Sequence, residues 1–185
     1  MRRKLKVALF RRKREGKTDY RMRIRMLSGQ KHRLVIRPAV KNMSAQIIVY
    51  NEKGDIVVAG SHSHALRHYG WTVHGGNLPA AYLTGYLLGM LARKKDVSDA
   101  VLDTGMHTPI KGSRIYACAQ GVIDAGVRVP IDKKVVPSIE RLSGAHIELY
   151  AKQNKKEFQD YVKKKIDPTT IRKLFERVKA ALQEA

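Results

Sequence analysis

Charge is distributed so unevenly along this 185-residue chain that it limits where a folded core can form. Between Arg2 and Lys41 lie sixteen of the thirty-seven Lys and Arg residues, opposed only by Glu15 and Asp19. That stretch carries +14 of the chain's net +21. Residues 42–149 hold eleven bases against nine acids, a net +2, and residues 150–185 hold ten against five, a net +5. A self-repelling end gains little by collapsing on itself, so the folded body belongs in the near-neutral middle. The same asymmetry speaks about partners. Crowded positive charge is relieved by a polyanion, and RNA or DNA is the first one to consider.

A membrane surface is the rival polyanion, and the sequence gives it little support. Arg2 to Arg14 contains no apolar h-region and no small-residue cleavage site, so no secretory signal is expected. The longest apolar run, Leu78 to Leu91, falls short of the ~20 residues that a spanning helix needs. The single cysteine, Cys118, rules out an internal disulfide framework and fits a reducing compartment. With 43% hydrophobic residues but one Trp and three Phe, one domain packed mainly with Val, Ile, Leu and Ala is expected.

Three segments follow: a basic extension over 1–30, an α/β core over 31–136 and a helical C-terminal extension over 137–185. In the first segment Arg21, Arg23 and Arg25 alternate with Met22, Ile24 and Met26, but Ser28-Gly29 ends the pattern quickly. A helix there would bring Arg21 and Arg25 together as like charges at i, i+4. The expectation is an extension ordered mainly by its partner. The core then opens with three β-rich runs, His32–Arg37, Ala45–Tyr50 and Asp55–Gly60. The turn Asn51-Glu52-Lys53-Gly54 joins the last two as a hairpin, giving a three-strand antiparallel meander.

Asn77-Leu78-Pro79 has the chemistry of a helix start, and the apolar run to Arg93 predicts a buried helix. Gly85 and Gly89, at i, i+4, should let another backbone approach closely. Ala100–Asp103 predicts a short strand, Ser113–Ala125 a second helix closed by Gly126, and Val127–Pro130 a possible further strand. Ile139–Gln153 reads as helical, weakened at Ser143-Gly144. Asp167-Pro168 starts a last amphipathic helix with Ile171, Leu174, Phe175 and Val178 on one face. Such an order implies a mixed sheet with helices packed on it.

Several motifs invite chemistry. Gly16-Lys17-Thr18 lacks the earlier Gly and the preceding strand of a phosphate loop, since position 11 is Arg. It reads better as part of a basic patch with a turn. The cluster His62, His64, His68 and His74 has no nearby Cys, and with Ser61 and Arg67 it suits phosphate and sugar oxygens better than a metal. A mixed sheet opening with three antiparallel strands is similar to the ribonuclease-H-like architecture, whose two-metal chemistry needs clustered acids. Here the first strand has none, and Asp55, Asp103 and Asp124 are scattered singly. Asp103, before Thr104-Gly105, reads as a turn-forming or capping residue. A metal-dependent nuclease is thus the weaker alternative, and no catalytic residue, metal ligand, cofactor or small-molecule substrate is expected.

The candidate RNA contacts fall in groups. In the extension they are Arg2, Arg3, Lys4, Lys6, Arg11, Arg12, Lys13, Arg14, Lys17, Thr18, Tyr20, Arg21, Arg23 and Arg25. Lys31, Arg33 and Arg37 continue the basic series into the first strand. After the third strand come His62, His64, Arg67, His68 and Trp71, where an aromatic plane either stacks on an unpaired base or packs in the core. Lys111 and Arg114 flank a helix start whose free amides suit an anion.

The stretch from Arg11 to Tyr20, RRKREGKTDY, resembles the N-terminal signature of the large-subunit ribosomal protein eighteen family, in its archaeal and eukaryotic-type branch. Ala45-Gln46-Ile47-Ile48, Tyr69-Gly70-Trp71, Pro79–Gly85, Val101-Leu102-Asp103, Lys111–Arg114 and Ser143–Ile147 match in order. The resemblance runs from about residue 11 to 150 and is less diagnostic after Lys152. It implies an α/β body resembling the small-subunit protein eleven fold, with no catalytic activity. It also implies binding to 5S rRNA and to the large-subunit rRNA, among neighbouring proteins of the central protuberance.

Overall fold

The structure is a computed structural model describing residues 8–154, 157–159, 161 and 166–184. Two short helices come first, α1 (Arg11–Arg14) and α2 (Tyr20–Leu27). Strands β1 (Arg33–Pro38), β2 (Met43–Val49) and β3 (Ile56–His62) follow, and a 3₁₀ helix spans Ser63–Tyr69. Then come α3 (Leu78–Arg93), β4 (Val101–Asp103), α4 (Arg114–Asp124), α5 (Ile139–Ser143), α6 (Ala145–Gln153) and α7 (Ile171–Gln183).

The sheet order is β3-β2-β1-β4. The first three strands form the expected antiparallel meander, and β4 adds parallel to β1 after the chain crosses over through α3. The possible strand at Val127–Pro130 amounts to one parallel bridge, Asp99 with Arg128. Strand alternation sorts the faces. Leu34, Ile36, Met43, Ala45 and Ile47 are buried on the inner face, under α3 and α4. Arg33, Val35 and Arg37 point to the outer face.

Helix α3 is capped by Asn77, whose side chain accepts from Ala80 N–H at 2.9 Å, and nearly its whole surface is buried. It crosses α4 backbone to backbone. A Cβ on Gly85 would collide with the Cys118 carbonyl oxygen, and one on Gly121 with the Tyr82 carbonyl oxygen. Burial of Cys118 in this crossing pushes its thiol pKa up to about 12. The chain breaks between α5 and α6 at Gly144, whose φ of +88° favours glycine.

Helix α7 does not stand apart. Its Ile171, Phe175, Val178 and Leu182 join the same core as the sheet and α3. Phe175 packs on Tyr82 with ring centroids 5.5 Å apart, and Lys179 Nζ lies 5.3 Å above the Tyr82 ring. Burial first, and then the hydrogen bond it donates to Asp124, raise the Tyr82 hydroxyl pKa far above its ordinary value.

The N-terminal extension departs from expectation by forming α2. Arg and Met are good helix formers, and the i, i+4 repulsion between Arg21 and Arg25 costs only a few tenths of a kcal/mol, ~0.2–0.5. Asp19 outweighs it by accepting from the Arg21 and Met22 amides at 2.9 and 3.2 Å. The helix then lies over the outer face of the sheet.

Candidate nucleic-acid interface

The outer face of β1 carries arginines at alternate positions, and the parallel register sets Asp103 opposite Val35, between them. Arg33 Nη1 donates to Asp103 at 3.2 Å and its Nη2 to Asp55 at 2.6 Å. Arg37 donates to the Asp103 carboxylate at 3.0 Å and to its carbonyl at 2.7 Å. Asp103 also turns back to accept from Gly105 N–H at 2.8 Å, the turn-forming role its sequence context suggested. Asp55, from the β2–β3 turn, takes both its oxygens to Arg23 of α2, at 3.0 and 2.9 Å. Two acids that look scattered in the sequence therefore share one arginine.

Burial alone would raise the Asp55 pKa, but hydrogen bonds and charge from Arg33 and Arg23 outweigh it and hold the carboxyl below its ordinary value. Together α2 and the sheet enclose a cleft of about 290 Å³, lined by Met22, Arg23, Met26, Val35, Gln46 and Ile48 among others.

The predicted contacts divide accordingly. Arg2, Arg3, Lys4 and Lys6 lie outside the described residues. Arg11, Arg12, Lys13, Arg14, Lys17, Arg21 and Arg25 are exposed, in or between α1 and α2. Glu15 sits within 3.3 Å of Arg11 and 2.9 Å of Lys17, exposed pairs worth only ~0–1 kcal/mol. Arg12 Nε donates to Thr18 Oγ1 at 2.9 Å, which shapes the turn between the helices. Lys31, exposed, stands 3.6 Å from half-buried Asp99.

Two expectations need correction. Arg33, whose side chain is 3% exposed, is a structural cation buried between two carboxylates. Trp71, 1% exposed, belongs to the core, and its Nε1 reaches the His74 carbonyl at 3.4 Å, so it offers no ring to a base. Arg114 is half-buried and donates from Nη1 to the carbonyls of Ala39 and Gly76 at 2.8 and 3.0 Å, holding the start of α4 against two loops. Lys111 is exposed nearby.

His62, His64, Arg67 and His68 are all exposed around the 3₁₀ helix, with His62 Nδ1 accepting from His64 N–H at 3.1 Å. Among the described residues no group of three or more His, Cys, Asp or Glu is arranged to hold a metal ion. No described helix is long and apolar enough to cross a membrane.

Sequence reasoning passed over Phe10. It is 71% exposed beside the cationic run, 5.2 Å centroid to centroid from Tyr20. The available signal was a bulky apolar residue stranded directly before four consecutive cations.

The geometry defines a basic α/β protein whose leading segment presents mostly exposed cations beside one face of a sheet. The family described as ribosomal large subunit proteins 60S L5 and 50S L18 matches residues 3–97. The chain is 45% identical over 177 residues to the large ribosomal subunit protein uL18 of Methanococcus maripaludis, covering 92% of each chain. It belongs to this family of large-subunit ribosomal proteins and is a structural constituent of the large ribosomal subunit.

Proposed function

We propose that the chain binds 5S rRNA, helps attach it to the large-subunit rRNA in the central protuberance, touches neighbouring ribosomal proteins there, and catalyses no reaction. One observation carries this reading: the exposed cations of α2 are fastened to the sheet by Arg23 and Asp55, and those of α1 are joined to α2 through Arg12 and Thr18. Residues 1–30 supply the charge, 31–136 the platform that aims it, and 137–185 an extension whose described helices pack on that platform.

The binding mechanism follows from the chemistry of the array. Arg offers forked donors to phosphate oxygens and Lys a point charge, and each contact releases counterions. Selectivity comes from RNA shape, 2′-hydroxyls and unpaired bases, because the deep groove of A-form RNA is closed to side chains. The nuclease alternative loses ground, since the carboxylates of Asp55 and Asp103 already serve Arg23, Arg33 and Arg37.

Filter retention of labelled 5S transcript across a salt series tests the proposal. Preference over a random-sequence competitor is expected, with log K falling at a slope of about −4 to −5 if roughly six phosphates are neutralised. Equal retention of the competitor would sink it.

A further inference from the structure

An exposed phenylalanine needs a physical reason, because its ring gains most by leaving water. Phe10 is the most exposed aromatic side chain among the described residues, at 71%. It is also firmly placed. Its carbonyl accepts from Lys13 and Arg14 amides at 2.9 and 3.1 Å, so it opens α1. Its ring rests on Tyr20 with planes 34° apart, and Tyr20 is the first residue of α2, whose start Asp19 caps. Two helix starts thus meet at one aromatic pair. The cations of α1 follow it directly, and Arg21 adjoins Tyr20.

We propose that Phe10, backed by Tyr20, is a stacking platform for an unpaired RNA base, with the adjoining cations taking the flanking phosphates. The inference rests on the rRNA-binding reading and deepens it. Half-buried Tyr20 supports one side of the Phe10 ring and leaves the rest open. A nucleotide is the ligand class that matches both features, since it presents a flat π-face and a negative phosphate a few ångströms away. An apolar protein surface would satisfy the ring but leave the cations unanswered. The platform also fills the role that buried Trp71 does not take.

Stacking and charge have separable signatures. Removing a stacked ring lowers affinity without changing the number of counterions released, so the salt line shifts in parallel. In the full-length chain, Phe10→Leu keeps every charge and most of the apolar volume. It should weaken 5S transcript binding by about 5- to 100-fold, the range for one stacked base, at unchanged salt slope. Phe10→Trp should restore the affinity, and its added emission should be quenched by the transcript against the buried Trp71 background.

Phe10→Leu binding as tightly as the unaltered chain would overturn the platform while leaving the RNA reading intact. So would emission of Phe10→Trp that is unmoved by saturating transcript, or shifted only by large-subunit proteins. Failure of the unaltered chain to retain the transcript would overturn both. Should Phe10→Leu lose helicity by circular dichroism, the Phe10→Trp quenching result decides.

Discussion

The arginines of α1 and those of β1 are the same residue type, separated by some twenty positions, yet they live under opposite physical rules. Arg11, Arg12 and Arg14 are exposed, and among the described ion pairs only Glu15 reaches one of them, Arg11 at 3.3 Å. Arg33 and Arg37 lie on a sheet face where Asp103 and Asp55 were brought in by strand register and a hairpin turn. The first group is charge held available for a partner. The second is charge balanced within the fold, completely for buried Arg33 and in part for Arg37, which stays 41% exposed. Arg23 stands between the groups, belonging by sequence to the arm and by bonding to the sheet. Net charge per segment, the quantity legible from sequence, therefore overstates what RNA can meet.

The contrast is sharpest in Arg33→Met. Losing the shared cation leaves two carboxylates short of partners, and stability should fall by about 3–5 kcal/mol. The salt slope of RNA binding, measured on the molecules that remain folded, should not move. Urea titration and filter retention together check this, and a shallower slope would place Arg33 with the RNA-facing group after all. The mirror experiment replaces Arg11, Arg12, Lys13 and Arg14 with Gln. There the salt slope should become shallower by about three, while stability stays within about 0.5 kcal/mol.

Asp55→Asn tests the residue joining the two groups. Its side chain is 24% exposed, and weakening its bonds to Arg23 and Arg33 should cost about 1–2 kcal/mol. Removing an acid ordinarily favours RNA, but loosening α2 should instead reduce affinity. Because the folded pKa lies below the unfolded value of about 3.9, the stabilisation is complete above that pH. It is lost as pH falls through the folded pKa, so the stability gap between the unaltered chain and Asp55→Asn should begin to narrow only below about pH 4 and close once the pH is under the folded pKa. Smallest of all is Lys31→Gln. Its exposed pair with Asp99 should be worth under about 0.5 kcal/mol, and thermal unfolding should hardly register the change.

Much of the body was readable in advance because its signals are local. The meander is announced by β-branched runs and a Gly-ended turn, α3 by Asn77 and Pro79, and the α5–α6 break by Gly144. Gly85 foretold the close crossing, although the partner backbone at Cys118 lies thirty-three positions away. The missed features depend on distant contacts. The formation of α2 rests on a cap beside it and on a sheet face well beyond it. Burial of Arg33 depends on Asp103, seventy residues later, arriving through a crossover that no local pattern encodes. Trp71 could be read either way until the packing around it was known.

The crossing of α3 and α4 has one practical corollary. It encloses the sole thiol of the chain, which a maleimide can alkylate only after the two helices part. Labelling of Cys118 is therefore a clock for breathing motions in the protein's interior. Run with and without bound RNA, the clock would report how far docking at one end of the molecule quiets its centre.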